Sequence, residues 1–229
     1  MRSTSMSLKF HQHSQPSATP DFSKLAHIYR WMEWLTFGPF LQRCRFAFLS
    51  SLAQRRHALI LGDGDGRFTA RLLRTNAAIE VDAVDASPAM LHQLSIRSQT
   101  SRVRTHVADA RAFLPIRCDY DLIATHFFLD CLTSSEVGDL ASRLRKYVSP
   151  TAVWVISEFA MPSTVYGRVI ARPLVSILYF AFGLFTGLKI RKLPDHHAAL
   201  AQAGWALMQH RKRLGGLLIS ELWQLAPTD

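Results

Sequence analysis

Apolar residues along this chain come in short runs separated by stretches with helical spacing. Runs end or sit at LIL (59–61), IEVDAVD (79–85), RVRTHVADAR (102–111), DYDLIATHFFLD (119–130) and TAVWVISEF (151–159), and each reads as a strand. The fourth is apolar at successive positions, as in strands buried on both faces. RFTARLLRT (67–75) and ASPAMLHQLSIRS (86–98) read as helices, the second with Ser87 as N-cap and Pro88 at its first position. Strands alternating with helices predict a parallel α/β sheet. After the fifth strand, LPDHHAALAQAG (193–204) predicts a helix stopped by Gly204. WALMQHRKRL and GLLISELWQL, joined at Gly215–Gly216, predict a terminal hairpin.

The join between the first strand and first helix carries the chemistry. LILGDGDGRF (59–68) places Gly62, Gly64 and Gly66 at alternate positions, and Asp85 ends the next strand. Glycines there let the backbone turn sharply and lie against a ligand where a Cβ would collide. A carboxylate at the tip of the second strand can accept from both ribose hydroxyls. The unit therefore predicts a site for an adenosine-containing cofactor. It is not a dinucleotide fingerprint, which needs G-x-G-x-x-G: the third position is Arg67 counted from Gly62 and Thr69 counted from Gly64.

At 229 residues and 48% hydrophobic, the chain fits one domain with terminal additions. The expected organisation is a flexible leader over 1–20, rich in Ser, Thr, Gln and His, and a domain over 21–229. Within the domain, 21–54 form a helical cap, 55–160 the cofactor-binding core, and 161–229 an apolar helical segment and the hairpin. Three scattered cysteines, Cys44, Cys118 and Cys131, imply no disulfide framework, and no Cys/His spacing suggests zinc, so no metal is expected. The cytoplasm is the expected compartment. The net charge of +10 is spread over several small clusters. It reads as a solvated basic surface and leaves anionic lipid and nucleic acid as alternative partners. Residues 173–188 hold no charge between flanking Arg and Lys, but they are fewer than the ~20 apolar residues a spanning helix needs. The stretch 165–192 is expected to cover a pocket or to touch a membrane peripherally.

The G-x-G-x-G spacing resembles the first motif of class I S-adenosylmethionine (SAM) methyltransferases. More narrowly, the chain from about residue 22 resembles the C-methyltransferases of ubiquinone and menaquinone biosynthesis. The resemblance rests on Ala26, Tyr29 and Thr36–Gly38 in the N-terminal segment, SEFAMP (157–162), LPDHHAALAQAGW (193–205) and LGGLLIS (214–220). It implies a Rossmann-like, seven-stranded, mostly parallel sheet with one terminal antiparallel strand, an N-terminal helical cap, and SAM as cofactor. It also implies that Ala86 and Met90 lie along the adenine, that Asp109 takes the adenine amino group, and that Ala110 offers a backbone N–H. Asp63 or Asp65 would stand in for the acid usual in the first strand, where this chain has Ile60. Tyr29 would close over the cofactor from the cap. The family's Arg-Asn after strand four has no counterpart in HFFLDCLTSSE (126–136), which leaves the acceptor open.

Methyl transfer from a sulfonium needs alignment and exclusion of water more than covalent help. Where a proton must leave the acceptor, His126 after strand four is the candidate base. The alternative for His126 is a histidine merely hydrogen-bonded in place. Asp130 is either its orienting partner or a turn cap, and Glu158 either faces the acceptor or is structural. The expected activity is methylation of a small, lipophilic or aromatic acceptor. The alternatives are RNA methylation and a non-catalytic SAM- or nucleotide-binding protein.

Overall fold

The computed structural model describes residues 39–162 and 193–226. The elements run, in chain order, α1 (Pro39–Arg45), β1 (His57–Leu61), α2 (Arg67–Thr75), β2 (Glu80–Asp85), α3 (Pro88–Ser98), β3 (Val103–Val107), β4 (Tyr120–His126), α4 (Ser134–Leu144), β5 (Val148–Phe159), α5 (His196–Gln202), β6 (Trp205–Arg213) and β7 (Leu218–Leu225). The seven strands form one sheet in the order β3-β2-β1-β4-β5-β7-β6. β1 to β5 are mutually parallel, and β7 runs antiparallel to both β5 and β6. The predicted sheet, with one strand reversed near its end, is the one observed. The N-terminal cap is described only from Pro39, as α1 and a single 3-10 turn at Leu49–Leu52. Tyr29 and the segment 165–192 lie outside the described residues.

Each face of the sheet buries its own core, and strand periodicity sorts the residues. Ala58, Ile60, Val81, Ala83, Leu122, Ala124, Val153 and Val155 face α2 and α3, meeting Phe68, Leu72, Leu91 and Leu94. Leu59, Leu61, Val84, Ile123, Trp154 and Ile156 face α4 and α5, with Trp205 and Trp223 behind them. A third, smaller cluster joins α1 to the end of β5 and the start of β7 through Leu41, Cys44, Phe159, Leu217 and Leu218. Polar ties hold the cap there: Ser220 Oγ donates to Cys44 O at 3.0 Å and Arg211 Nη1 to Ala47 O at 2.7 Å.

Helix ends follow the local chemistry. Ser87 accepts from Met90 N–H and Pro88 opens α3, as predicted. Thr133 and Glu136 form a reciprocal capping box on α4. Two predicted strands are shorter than read. β3 ends at Val107, so Asp109 lies in the turn beyond it, where Ala112 and Phe113 N–H bond back to Asp109 O. β4 ends at His126, because Phe127 adopts φ 55° and swings the chain out of the sheet. Among the described residues no helix is long and apolar enough to cross a membrane.

Candidate active site

The sheet order reverses between β1 and β4, and ligands of open α/β sheets bind beyond the strand C-termini at such a point. The glycine loop leaves β1 there. Gly62 N–H still pairs with Val84 O at 2.9 Å, and Gly66 N–H closes the loop onto Asp63 O at 3.2 Å. Gly62, Gly64 and Gly66 all have positive φ. Two of them are also crowded. A Cβ on Gly62 would strike the Phe128 ring, and one on Gly66 would come within 2.6 Å of Leu94 Cγ and 2.8 Å of its Cα. Gly64 differs, since a Cβ there would meet none of the described residues within 4 Å. Among the described residues the backbone at Gly64 thus borders open space.

Asp85 faces this loop. Its carboxylate accepts Ser87 N–H at 2.8 Å and also the N–H of Gly64. Burial raises its pKa, and those two donors oppose the rise. Ala86 next to it is exposed and Met90 is half-buried one helical turn on. Asp63 points the other way: its Oδ2 accepts from Thr69 N–H at 2.9 Å and Thr69 Oγ1 at 2.7 Å, and its Oδ1 from Phe68 N–H at 3.3 Å. It caps α2, whose N-cap residue Gly66 has no side chain to do so. Burial pushes this carboxyl up to about 6. Asp65 is held by Arg67 and Arg97 at 3.1 and 2.9 Å. Asp109 is exposed, and Arg111 forks across its two oxygens at 2.6 to 3.0 Å, which lowers its pKa. Buried Ala110 is fixed through its carbonyl, which accepts from Arg143 Nη2 at 2.7 Å.

The ends of β4 and β5 form a second group. His126 pairs in register with Ser157, and its Nδ1 lies 3.0 Å from Ser157 Oγ. Its ring packs on Phe68 at 4.2 Å, and its buried Nε2 has no hydrogen-bond partner among the described residues. Burial, with a lesser contribution from Arg45, holds the imidazole pKa well below the usual 6.5, so the ring is neutral. The Nδ1 partner is Ser157, so the orienting role read for Asp130 falls to a hydroxyl. Glu158 is buried at the tip of β5. Its Oε1 accepts Phe128 N–H at 3.0 Å and Leu129 N–H at 2.8 Å, which secures the chain as it leaves β4. Burial and the neighbouring Asp130 charge keep this carboxyl well above its ordinary pKa, and its Oε2 has no partner among the described residues. Phe127, held left-handed between them, packs on Phe159 at 5.1 Å. A left-handed phenylalanine costs of order 1–3 kcal/mol, and such strain gathers at functional sites.

Residue patterns alone did not disclose three features. The Ser157 hydroxyl under His126 and the amides on Glu158 depend on β4–β5 register. Buried Asp82 gathers Arg104, His106 and the Tyr120 hydroxyl at 2.8 to 3.0 Å, which pins β2 to β3 and β4. The only local signal for it was a charge inside an apolar strand.

Comparison with known proteins agrees with this geometry. Residues 58–151 match a family described as a methyltransferase domain, a stretch that holds the glycine loop, Asp85, Asp109 and His126. No curated protein matches the chain in sequence. A Burkholderia thailandensis 1,6-didemethyltoxoflavin N1-methyltransferase, solved with its substrate and S-adenosylhomocysteine, is similar over 94% of this chain and 94% of its own, at 18% identity and TM-score 0.64. A TehB-like SAM-dependent methyltransferase from Corynebacterium glutamicum is similar over 88% of this chain and 98% of its own, at 15% identity and TM-score 0.59. The mitomycin 7-O-methyltransferase is similar over 90% of this chain, at 13% identity and TM-score 0.63; the alignment spans 60% of that enzyme's length. The fold is the one these methyltransferase structures share, and the matched stretch, less than half of the chain, is similar to a methyltransferase domain. The narrower likeness to the quinone C-methyltransferases is not among these matches.

Proposed function

We propose that the protein is a SAM-dependent methyltransferase whose acceptor is a small aromatic or lipophilic molecule. The observation that carries the reading is the pairing of Gly64, whose backbone borders open space, with the Asp85 carboxylate beside it. The residues fit the cofactor: Asp85 to accept from the ribose, Ala86 and Met90 along the adenine, Asp109 and the Ala110 N–H at its edge. Tyr29 would close the site from the cap. When bound, SAM supplies an electrophilic methyl group on a sulfonium. The chain then has only to place the acceptor and keep water out.

The acceptor side is apolar. Beyond the ends of β4 and β5 the fold buries Phe159, Leu217 and Leu41 as an apolar cluster with Phe127 packed against it, so an acceptor held there would meet apolar walls, which suits an aromatic or lipophilic ligand. The two neighbours whose names state a substrate, the mitomycin 7-O-methyltransferase and the 1,6-didemethyltoxoflavin N1-methyltransferase, act on small molecules, and their likeness supports a small-molecule acceptor. His126 is the proposed proton acceptor. Its lowered pKa makes it too weak to strip a proton beforehand. It suffices for a proton that turns acidic as the acceptor atom gains its methyl group. A quinone-like ring remains within this class. Peripheral membrane contact through 165–192 and a cytoplasmic location are part of the proposal.

One observation favours the RNA reading as second. Arg67, Arg71, Arg74 and Arg97 line a cavity of about 490 Å³ with Gln42 and Phe46. Incubation with methyl-labelled SAM and two panels, small aromatic acceptors and total RNA, separates the readings. Label in a small-molecule product supports the proposal; label in RNA alone overturns it.

A further inference from the structure

We propose that His196, His197 and Glu221 form a binding site for a divalent transition-metal ion, separate from the cofactor loop. The three come from two elements. His196 and His197 are the first residues of α5, set by Asp195, whose side chain accepts Ala198 N–H. Glu221 is in the middle of β7, paired with Ile156 of β5, on the same sheet face as Glu158.

Both imidazoles aim Nε2 at the one carboxylate. His196 Nε2 lies 3.0 Å from Oε2 and His197 Nε2 2.6 Å from Oε1. All three ligand atoms lie within 4.8 Å of one another, and this is the one such group among the described residues. An ion with bonds of about 2.0–2.2 Å holds cis ligands roughly 3 Å apart, close to the observed spacing. Two imidazoles and a carboxylate select zinc, nickel, cobalt or copper over magnesium or calcium. The outer shell is present as well: Trp223 Nε1 donates to Glu221 Oε2 at 2.9 Å, the kind of bond that orients a ligating carboxylate. Glu221 and His196 are buried while His197 is half exposed, which gives an ion a way in. Three protein ligands leave positions for water. Bound there, the ion ties the start of α5 to the central run of β7. Without it, the two imidazoles donate to the carboxylate as Nε2–H.

Sequence offered no spacing rule for this set, since adjacent histidines and a glutamate 24 residues after His197 match no metal motif. The test uses the full chain, stripped with a chelator and dialysed. Zinc is titrated by calorimetry and nickel by tryptophan fluorescence, because the His197 ring lies 5.3 Å from Trp223. One saturable zinc site and partial quenching by nickel are expected, both weakened on the order of tenfold or more in His197→Ala and in Glu221→Gln. His197→Ala alters a half-exposed side chain, and its fold is checked by circular dichroism. No saturable binding by the wild type overturns the proposal. So does binding that neither substitution weakens, which would place the metal elsewhere, for instance on His11 and His13. The outcome is independent of SAM binding.

Discussion

Exchanging single glycines of the loop for alanine should separate what the loop does for folding from what it does for the cofactor. Gly64→Ala puts a Cβ into open space at φ +59°, so its folding penalty is that of a left-handed L-residue, about 1–2 kcal/mol. For a chain of this length that lowers Tm by about 2–8 °C. Gly66→Ala carries the same backbone penalty at φ +77° and drives a Cβ to within 2.8 Å of the Leu94 Cα, which cannot rotate away. Overpacking of that kind adds about 1–3 kcal/mol, for a total of about 2–5 kcal/mol. Affinity should follow the opposite logic. The Gly64 methyl occupies the surface proposed to meet the ligand, so Gly64→Ala should lose at least about tenfold in affinity, or 1.4 kcal/mol, while staying folded. Thermal denaturation and calorimetric titration with S-adenosylhomocysteine read both quantities. A Gly64→Ala protein that binds like wild type, or that is destabilised as much as Gly66→Ala, refutes the reasoning.

Three further outcomes follow from the site. Asp63 titrates at about 6 in the folded protein against an ordinary 3.8, so the folded state binds its proton more tightly and stability falls as pH rises between those values. The full effect is about 3 kcal/mol. Asp63→Asn keeps an acceptor for Thr69 N–H and should flatten denaturant-derived stability from pH 4 to 6; a curve parallel to wild type contradicts the assignment. Glu158→Gln keeps a side-chain oxygen for the Phe128 and Leu129 N–H groups, whereas Glu158→Ala strands those buried amides at about 1–3 kcal/mol each, so the alanine variant should be the less stable in chemical denaturation; equal losses in the two variants would contradict the anchoring role of the carboxyl oxygen. His126→Ala should reduce kcat while leaving S-adenosylhomocysteine affinity within about twofold, a difference of roughly 0.4 kcal/mol, and the wild-type kcat should show no histidine step near pH 6.5; a step there contradicts the neutral, buried imidazole.

The segments that could be read from residues alone are those whose structure is local. Positive φ at Gly62, Gly64 and Gly66, the span of α2 and the Ser87–Pro88 start of α3 all depend on neighbours a few positions away. Asp85 at the tip of β2 was legible because strand and loop lengths fix it. Asp63 was placed on the cofactor by its position in the loop, yet its side chain caps α2, and only the three-dimensional turn of the loop decides which way a carboxylate points. The β4 end was read too long because nothing in HFFLD marks Phe127 for a left-handed turn; the turn is held through the Phe128 N–H by Glu158, 30 residues beyond Phe128. Long-range register likewise sets the Ser157–His126 pair and brings Glu221 under two histidines from another element.

The central claim is that the loop around Gly64 and the Asp85 carboxylate hold the adenosyl group. Calorimetric titration of S-adenosylhomocysteine into wild type and Asp85→Asn tests it most directly. The account predicts a single saturable site on the wild type, weakened at least about tenfold by the loss of one charge. Equal affinity in the two proteins, or no binding by folded wild type, would contradict it.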